Sequence, residues 1–326
     1  MKDSPGIAVS CLLAFGSLFS VRAEQVVIRE VMYHPGDGLY EYVELENITN
    51  TVFDIANWKL RGGVKFDLPD FDPANRNDTF LTPRQRIIIC GTDPETFRTA
   101  YGLSMGVRIL GPWTGLLENG GERVTVKDKN GTTMCTMRYD DQHPWPVAPD
   151  GAGHSLVLSN HDRPIDDYRL WKASANPGGT PGSVEPNSTP SGLAINEVHF
   201  NDVGDIDWVE ISNGGASMST SGMFLSSKRD FSDKIPLGSL VPGGGFASWN
   251  TNFEPGGDRW VLFLVDLNGV VLNAVAFERA AGRDHAAAYP DGSTDFYSSG
   301  PGSRDGPNNP SRDSELVISE LMVDTP

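Results

Sequence analysis

Three stretches of the chain repeat one pattern: VVIREVMYH at 26–34, LAINEVHFN at 193–201 and LVISELMVD at 316–324. Each runs apolar-x-Ile-x-Glu-apolar, with Ile28/Glu30, Ile195/Glu197 and Ile318/Glu320 in register. A second pair follows at a similar distance, EYVELEN at 41–47 and DWVEISN at 207–213. In the first, Val43, Leu45 and Asn47 alternate with Tyr42, Glu44 and Glu46. Period two with β-branched and aromatic residues predicts a strand with one face buried. The match continues through a proline-led turn into an apolar run, at 81–90 and 240–249, and through a hairpin at 120–140 and 256–278. Asn130-Gly131 and Asn268-Gly269 fall between the hairpin strands. Asn-Gly permits positive φ at both central positions of a type I′ turn. Near the end of each unit stands PDG, at 149–151 and 290–292. A repeat this long is no solenoid unit; it is a whole domain in tandem.

One segment reads as a helix. Asp93 caps it, Pro94 suits the first turn, Phe97, Ala100 and Tyr101 give the apolar face, and Gly102 ends it. The second unit has no counterpart. With 36 Gly and 23 Pro among 326 residues, the remainder reads as short strands and turns. The predicted fold is all-β: tandem antiparallel sandwiches. The stretches 174–192 and 298–315 are rich in Gly, Pro, Ser and Asn and read as extended spacers. The predicted organisation is a leader at 1–23, a sandwich at 24–173, a spacer, a second sandwich at 193–297, a second spacer, and at 316–326 the first strand of a third repeat. A lone strand cannot bury a core, so the expectation is a fragment of a longer array. The competing expectation is that 316–323 pairs onto an earlier sheet edge.

The leader follows from residues 1–23: Lys2 opens it, residues 7–19 are mostly apolar, and Val21-Arg22-Ala23 precedes an expected cut before Glu24. The chain is therefore expected to be exported, to the outside or the cell envelope. No apolar run has the ~20 residues of a membrane-spanning helix. Charge favours neither nucleic acid nor anionic lipid, since 43 acidic against 26 basic residues leave a net −17.

VVIREVMYHPGDG with EYVELEN, then WKL at 58–60, TPRQRIII, the GPWTG and LLENGGERV stretch and the DKNG hairpin resemble a lamin tail domain. This is an immunoglobulin-like sandwich found at the end of nuclear lamins and, often in tandem, in exported bacterial proteins. The resemblance spans nearly all of 26–160. It is looser over 193–292, where WKL becomes MFL at 223–225. It implies the sandwich fold and the bacterial exported branch, and it brings no catalytic residue.

Candidate chemistry is sparse. Glu30 and Glu44, with Glu197 and Glu210, suit an acid–base pair or a cation; their recurrence in both units favours an architectural role. Asp70, Asp72, Asn75, Asn77 and Asp78 form an acidic loop whose hard oxygens suit Ca²⁺, although the same residues suit Asx turns. The loop at 201–207 carries the same two readings. Trp113 and Trp145 lie in turn-like settings, where an aromatic either anchors a partner or covers the core. After cleavage two cysteines are left, Cys90 and Cys135, forming one possible disulfide or two buried thiols. Ser155 lacks the second glycine of a nucleophile elbow. No cofactor is expected.

The resulting expectation is a non-enzymatic, exported, modular protein. Its work would be spacing, adhesion or interaction with a surface protein or glycan. The alternatives are a Ca-dependent glycan-binding module and the accessory region of a larger surface enzyme.

Overall fold

A computed structural model describes residues 24–72, 79–161, 163–187, 191–254, 259–280, 282–298 and 302–309. The leader, Asn75, Asn77, Asp78 and the third copy at 316–326 lie outside the described residues.

The first unit opens with β1 (Val26–Met32), β2 (Tyr42–Asn47) and the short β3 (Phe53–Asp54). β4 (Lys59–Arg61), β5 (Val64–Asp67) and β6 (Phe80–Leu81) follow. β7 (Arg86–Cys90) leads into α1 (Pro94–Ala100), β8 (Ile109–Leu110) and β9 (Thr114–Gly115). The hairpin of β10 (Arg123–Lys127) and β11 (Thr133–Arg138), then β12 (Leu156–Leu158) and β13 (Trp171–Ala173), complete it. Two large sheets result, ordered β13-β12-β1-β2-β7-β8 and β11-β10-β4-β5-β9, and β3 pairs with β6 in a two-stranded one. All pairings are antiparallel except β7 with β8, which α1 connects. Val27, Leu45, Leu60, Ile87, Val124 and Met137 share the core between the sheets.

The second unit comprises β14 (Leu193–Phe200), β15 (Ile206–Asn213), β16 (Met218–Ser219), β17 (Phe224–Ser226), β18 (Ile235–Pro236) and β19 (Leu240–Val241). β20 (Phe246–Phe253), β21 (Arg259–Val265), β22 (Val271–Glu278), β23 (His285–Ala288) and β24 (Phe296–Tyr297) follow. Its sheets run β20-β15-β14-β23-β24 and β18-β17-β21-β22. This is the order of the first unit without the β8 and β9 positions. The chain is thus built from immunoglobulin-like β-sandwiches.

The helix follows its sequence signals. Asp93 Oδ1 accepts the backbone N–H groups of Glu95 (3.1 Å) and Thr96 (3.0 Å), which the first turn leaves without partners. Its buried Phe97 joins Met32, Tyr42, Ile88 and Cys90 over the outer face of the first sheet. β1 and β2 are consequently buried on both faces, not on one.

The Asn-Gly turns differ from the type I′ expectation. Only Gly131 (φ 87°) and Gly269 (φ 82°) take positive φ there; Asn130 and Asn268 do not. Asp128 N–H donates to Thr132 O (2.8 Å) and Gly131 N–H to Asp128 O (3.0 Å). Asp266, Gly269 and Val270 repeat this at 2.9 and 3.1 Å. The loop is a type I turn closed by a left-handed glycine, a three-residue hairpin connection. The preceding aspartate selects it: Asp128 Oδ1 accepts from Asn130 (2.9 Å) and Thr132 (2.8 Å), and Asp266 Oδ1 does the same for Asn268 and Val270.

The two PDG turns are not equivalent. Val157 and Ala287 face the corresponding Glu30 and Glu197, so the first PDG precedes its strand β12 while the second follows β23.

A Cβ at position 131 meets nothing within 4 Å, so only backbone conformation opposes a side chain there. Gly131→Ala is expected to lower stability by about 1 kcal/mol, read as a shift in the urea midpoint.

Candidate interaction cleft

The repeated glutamates face each other in pairs. Glu30 opposes Glu44 across β1 and β2, and Glu197 opposes Glu210 across β14 and β15, each beside a bulge at Arg29 or Asn196. Both pairs are fully buried. Glu30 Oε1 accepts from Tyr42 OH (2.6 Å), Ser155 Oγ (2.5 Å) and Thr180 N–H (2.7 Å). Glu44 meets Arg86 Nη1 (2.9 Å) and Gly182 N–H (2.5 Å). In the second unit Ser303 N–H donates to Glu197 (3.0 Å) and Asp305 N–H to Glu210. The residues read as spacers therefore lie down on the sandwich that precedes them. Burying a carboxylate demands donors, and the backbone of a Gly/Pro-rich strap supplies them without bulk. Ser155, rejected as a nucleophile, is one of those donors.

Burial pushes the Glu44 carboxyl up to about 8, with Glu30 adding to the rise and Arg86 opposing it. Burial likewise raises Glu210 to about 7, against hydrogen bonds from Asn196 and Asp305.

The other sequence candidates resolve as follows. Trp113 is buried in the first core, and its Nε1 makes no hydrogen bond. Asp70 Oδ1 accepts from Asn57 Nδ2 (2.8 Å) and the adjacent Phe71 N–H (2.7 Å), whereas Asn201 Oδ1 takes the Val203, Gly204 and Asp205 N–H groups in an Asx turn. Cys90 and Cys135 are free and buried in different clusters. Burial raises the Cys135 thiol, and at the matching place of the second unit Asn273 Oδ1 accepts Ile195 N–H (3.0 Å). Cys135 is thus a buried free thiol, and not half of a bridge.

Trp145 leads to a site that the residue pattern did not reveal. The loop after β11 leaves Trp145 against the first core and runs on to the second unit. There Val147 and Ala152 pack against Val261, Phe263 and Val265, the outer face of β21. Around this apolar patch, polar contacts join the units. Arg229 Nε donates to Asp150 O (2.8 Å), and its Nη2 pairs with the Asp150 carboxylate. Burial raises that carboxyl, but hydrogen bonds from His34 and Arg229 outweigh it and hold it below the usual range. Arg259 pairs with Asp141 (3.2 Å), and His143 Nε2 meets Asp295 (3.0 Å). His154 keeps Nδ1 on Ser174 O (2.7 Å) while Nε2 accepts Val271 N–H (3.3 Å). Burial lowers its pKa, and only the neutral ring with its proton on Nδ1 serves both partners.

Between the units runs a two-lobed cleft. The apolar lobe, about 300 Å³, is lined by Pro144, Trp145, Trp171, Lys172 and β22 residues 271–276. The second lobe, also about 300 Å³, sets Gln142, Arg259, Glu278 and Asp295 beside Phe277, Phe296 and Tyr297. His143, Ala276 and Thr294 border both. The arrangement offers aromatic and proline surfaces beside hydrogen-bonding groups, the chemistry of recognition. One signal in the sequence pointed here: β21, RWVLFLV, is apolar at every central position, whereas its counterpart RVTVK alternates. A strand apolar on both faces needs a cover on each.

Residues 21–141 match the family model described as Lamin Tail Domain. No curated protein matches the chain. Among the described residues, no helix is long and apolar enough to cross a membrane.

Two outcomes test this geometry. Phe263→Asp places a charge against Val147 without entering the core of its own sandwich, so the units should part while both stay folded; solution scattering should show a larger radius of gyration. Glu210 is favoured neutral in the fold, so its stabilisation is complete below its ordinary 4.5 and is lost as pH rises through about 7. Thermal melts of Glu210→Gln should lack this part of the decline between pH 5 and 8.

Proposed function

Taking residues 21–141 as a lamin tail domain, we propose that the chain is an exported, non-enzymatic protein whose paired sandwiches hold a protein or glycan partner at the cell surface. The family is one of interaction modules, which supports binding over turnover. The observation that carries the reading is the cleft: its walls come from both units and exist only while the two are clamped together. Export rests on the leader pattern of residues 1–23, and the bacterial setting on the tandem pattern of 26–34, 193–201 and 316–324.

The cleft suits recognition for physical reasons. Its position is fixed by an apolar patch and charge pairs, so a ligand does not have to order it, and preorganisation lowers the cost of binding. Trp145 offers a ring on a loop that already spans the junction. Further sandwiches of the same kind in one protein would add avidity wherever their geometry permits simultaneous contact.

Arrays of surface glycans and of displayed peptides, each probed with the purified chain, test the reading. Binding is expected to fall at least about tenfold in Trp145→Ala. Equal binding by that variant would move recognition away from the cleft. Expression with its own leader should release a protein whose first residue, by mass spectrometry, is Glu24.

A further inference from the structure

The cleft is bounded by two strand edges. β13 ends the six-stranded sheet, and β22 ends the four-stranded sheet of the other unit. The apolar lobe is lined by β22 residues 271–276 in unbroken succession and by Trp171, Lys172 and Ala173. The face of a strand presents alternate residues, so a wall of consecutive ones is the strand's edge. Hydrogen bonding gives the same direction. Ser159 N–H donates to Leu170 O and Ser174 N–H to Ser155 O, which turns the Lys172 backbone toward β12 and that of Ala173 away from it. On the other wall Val271 N–H has no strand partner on that side and is taken by His154 Nε2 from the first unit.

Resting on the reading of the cleft as a binding site, we infer that its partner is an extended peptide that adds as a strand to the open edge of β22. An edge offers backbone N–H and C=O groups at strand spacing, and another extended backbone meets them in succession. Most of the side chains flanking that track are apolar or aromatic, Trp145, Trp171, Leu272 and Val275 among them, beside the polar His143, Asn273 and Thr294, so alternate residues of the peptide are apolar. Lys172 is the one lysine in this lining and selects an acidic residue between them. The strand of the first unit that corresponds to β22 is β11, TMCTMR, whose outward Met134, Thr136 and Arg138 line neither lobe of the cleft.

A displayed library of random nonapeptides, panned on the full chain with the Trp145→Ala chain as subtraction, tests this. The selected peptides are expected to alternate apolar residues around one Asp or Glu. Synthetic versions should quench tryptophan fluorescence on binding. N-methylation of alternate backbone nitrogens in the peptide, which leaves the protein untouched, should weaken binding at least tenfold. Lys172→Glu should shift selection from acidic to basic residues. Selected peptides that tolerate N-methylation at every position, or a library without enrichment, overturn strand addition. Glycan binding that needs Trp145, in the absence of peptide enrichment, would keep the cleft and refute this partner. Loss of both would refute the cleft itself.

Discussion

Everything distinctive here depends on covering the outer face of β21. Val261, Phe263 and Val265 are buried there although they point away from their own core. Left in water they would form a contiguous apolar patch, and burying such area yields roughly 25 cal/mol per Å². The loop after β11 meets that need with Val147 and Ala152. Once it does, Asp150, Asp141, His143 and His154 fall opposite Arg229, Arg259, Asp295 and Val271. The charge pairs fix orientation, because half-exposed pairs add little stability by themselves.

The glutamate pairs solve a different problem in the same way twice. A bulge in β1 or β14 puts two carboxylates face to face inside the structure. Their burial is tolerable because the following strap donates backbone N–H groups, with the side chains of Thr180 and Ser303 on the first glutamate of each pair. Thr180 precedes Leu193 by the same number of positions as Ser303 precedes Leu316. The strap thus recurs with the repeat in the sequence. The residue pattern of 174–192 concealed this. Gly, Pro and Ser read as a free spacer because they bring no apolar surface, yet the contacts they make are through the backbone, which composition does not display.

Much of the fold was legible. Alternation in EYVELEN and DWVEISN gave the strands, and Asp93 and Pro94 gave the helix start. The turn type was not, because it depends on the aspartate two positions before Asn-Gly. Trp113 and Trp145 looked alike in sequence; one closes a core and the other lines the cleft, since only the path of the loop decides which side of a ring meets solvent.

The sequence by itself determined the sandwich class and the helix cap, because these depend on local period and local capping. Only the tertiary structure decided that the two units clasp, that Cys135 stays a buried free thiol, and that two sheet edges from distant segments border one cleft. Those outcomes rest on which surfaces meet across a hundred residues or so of chain, and no local pattern specifies that meeting.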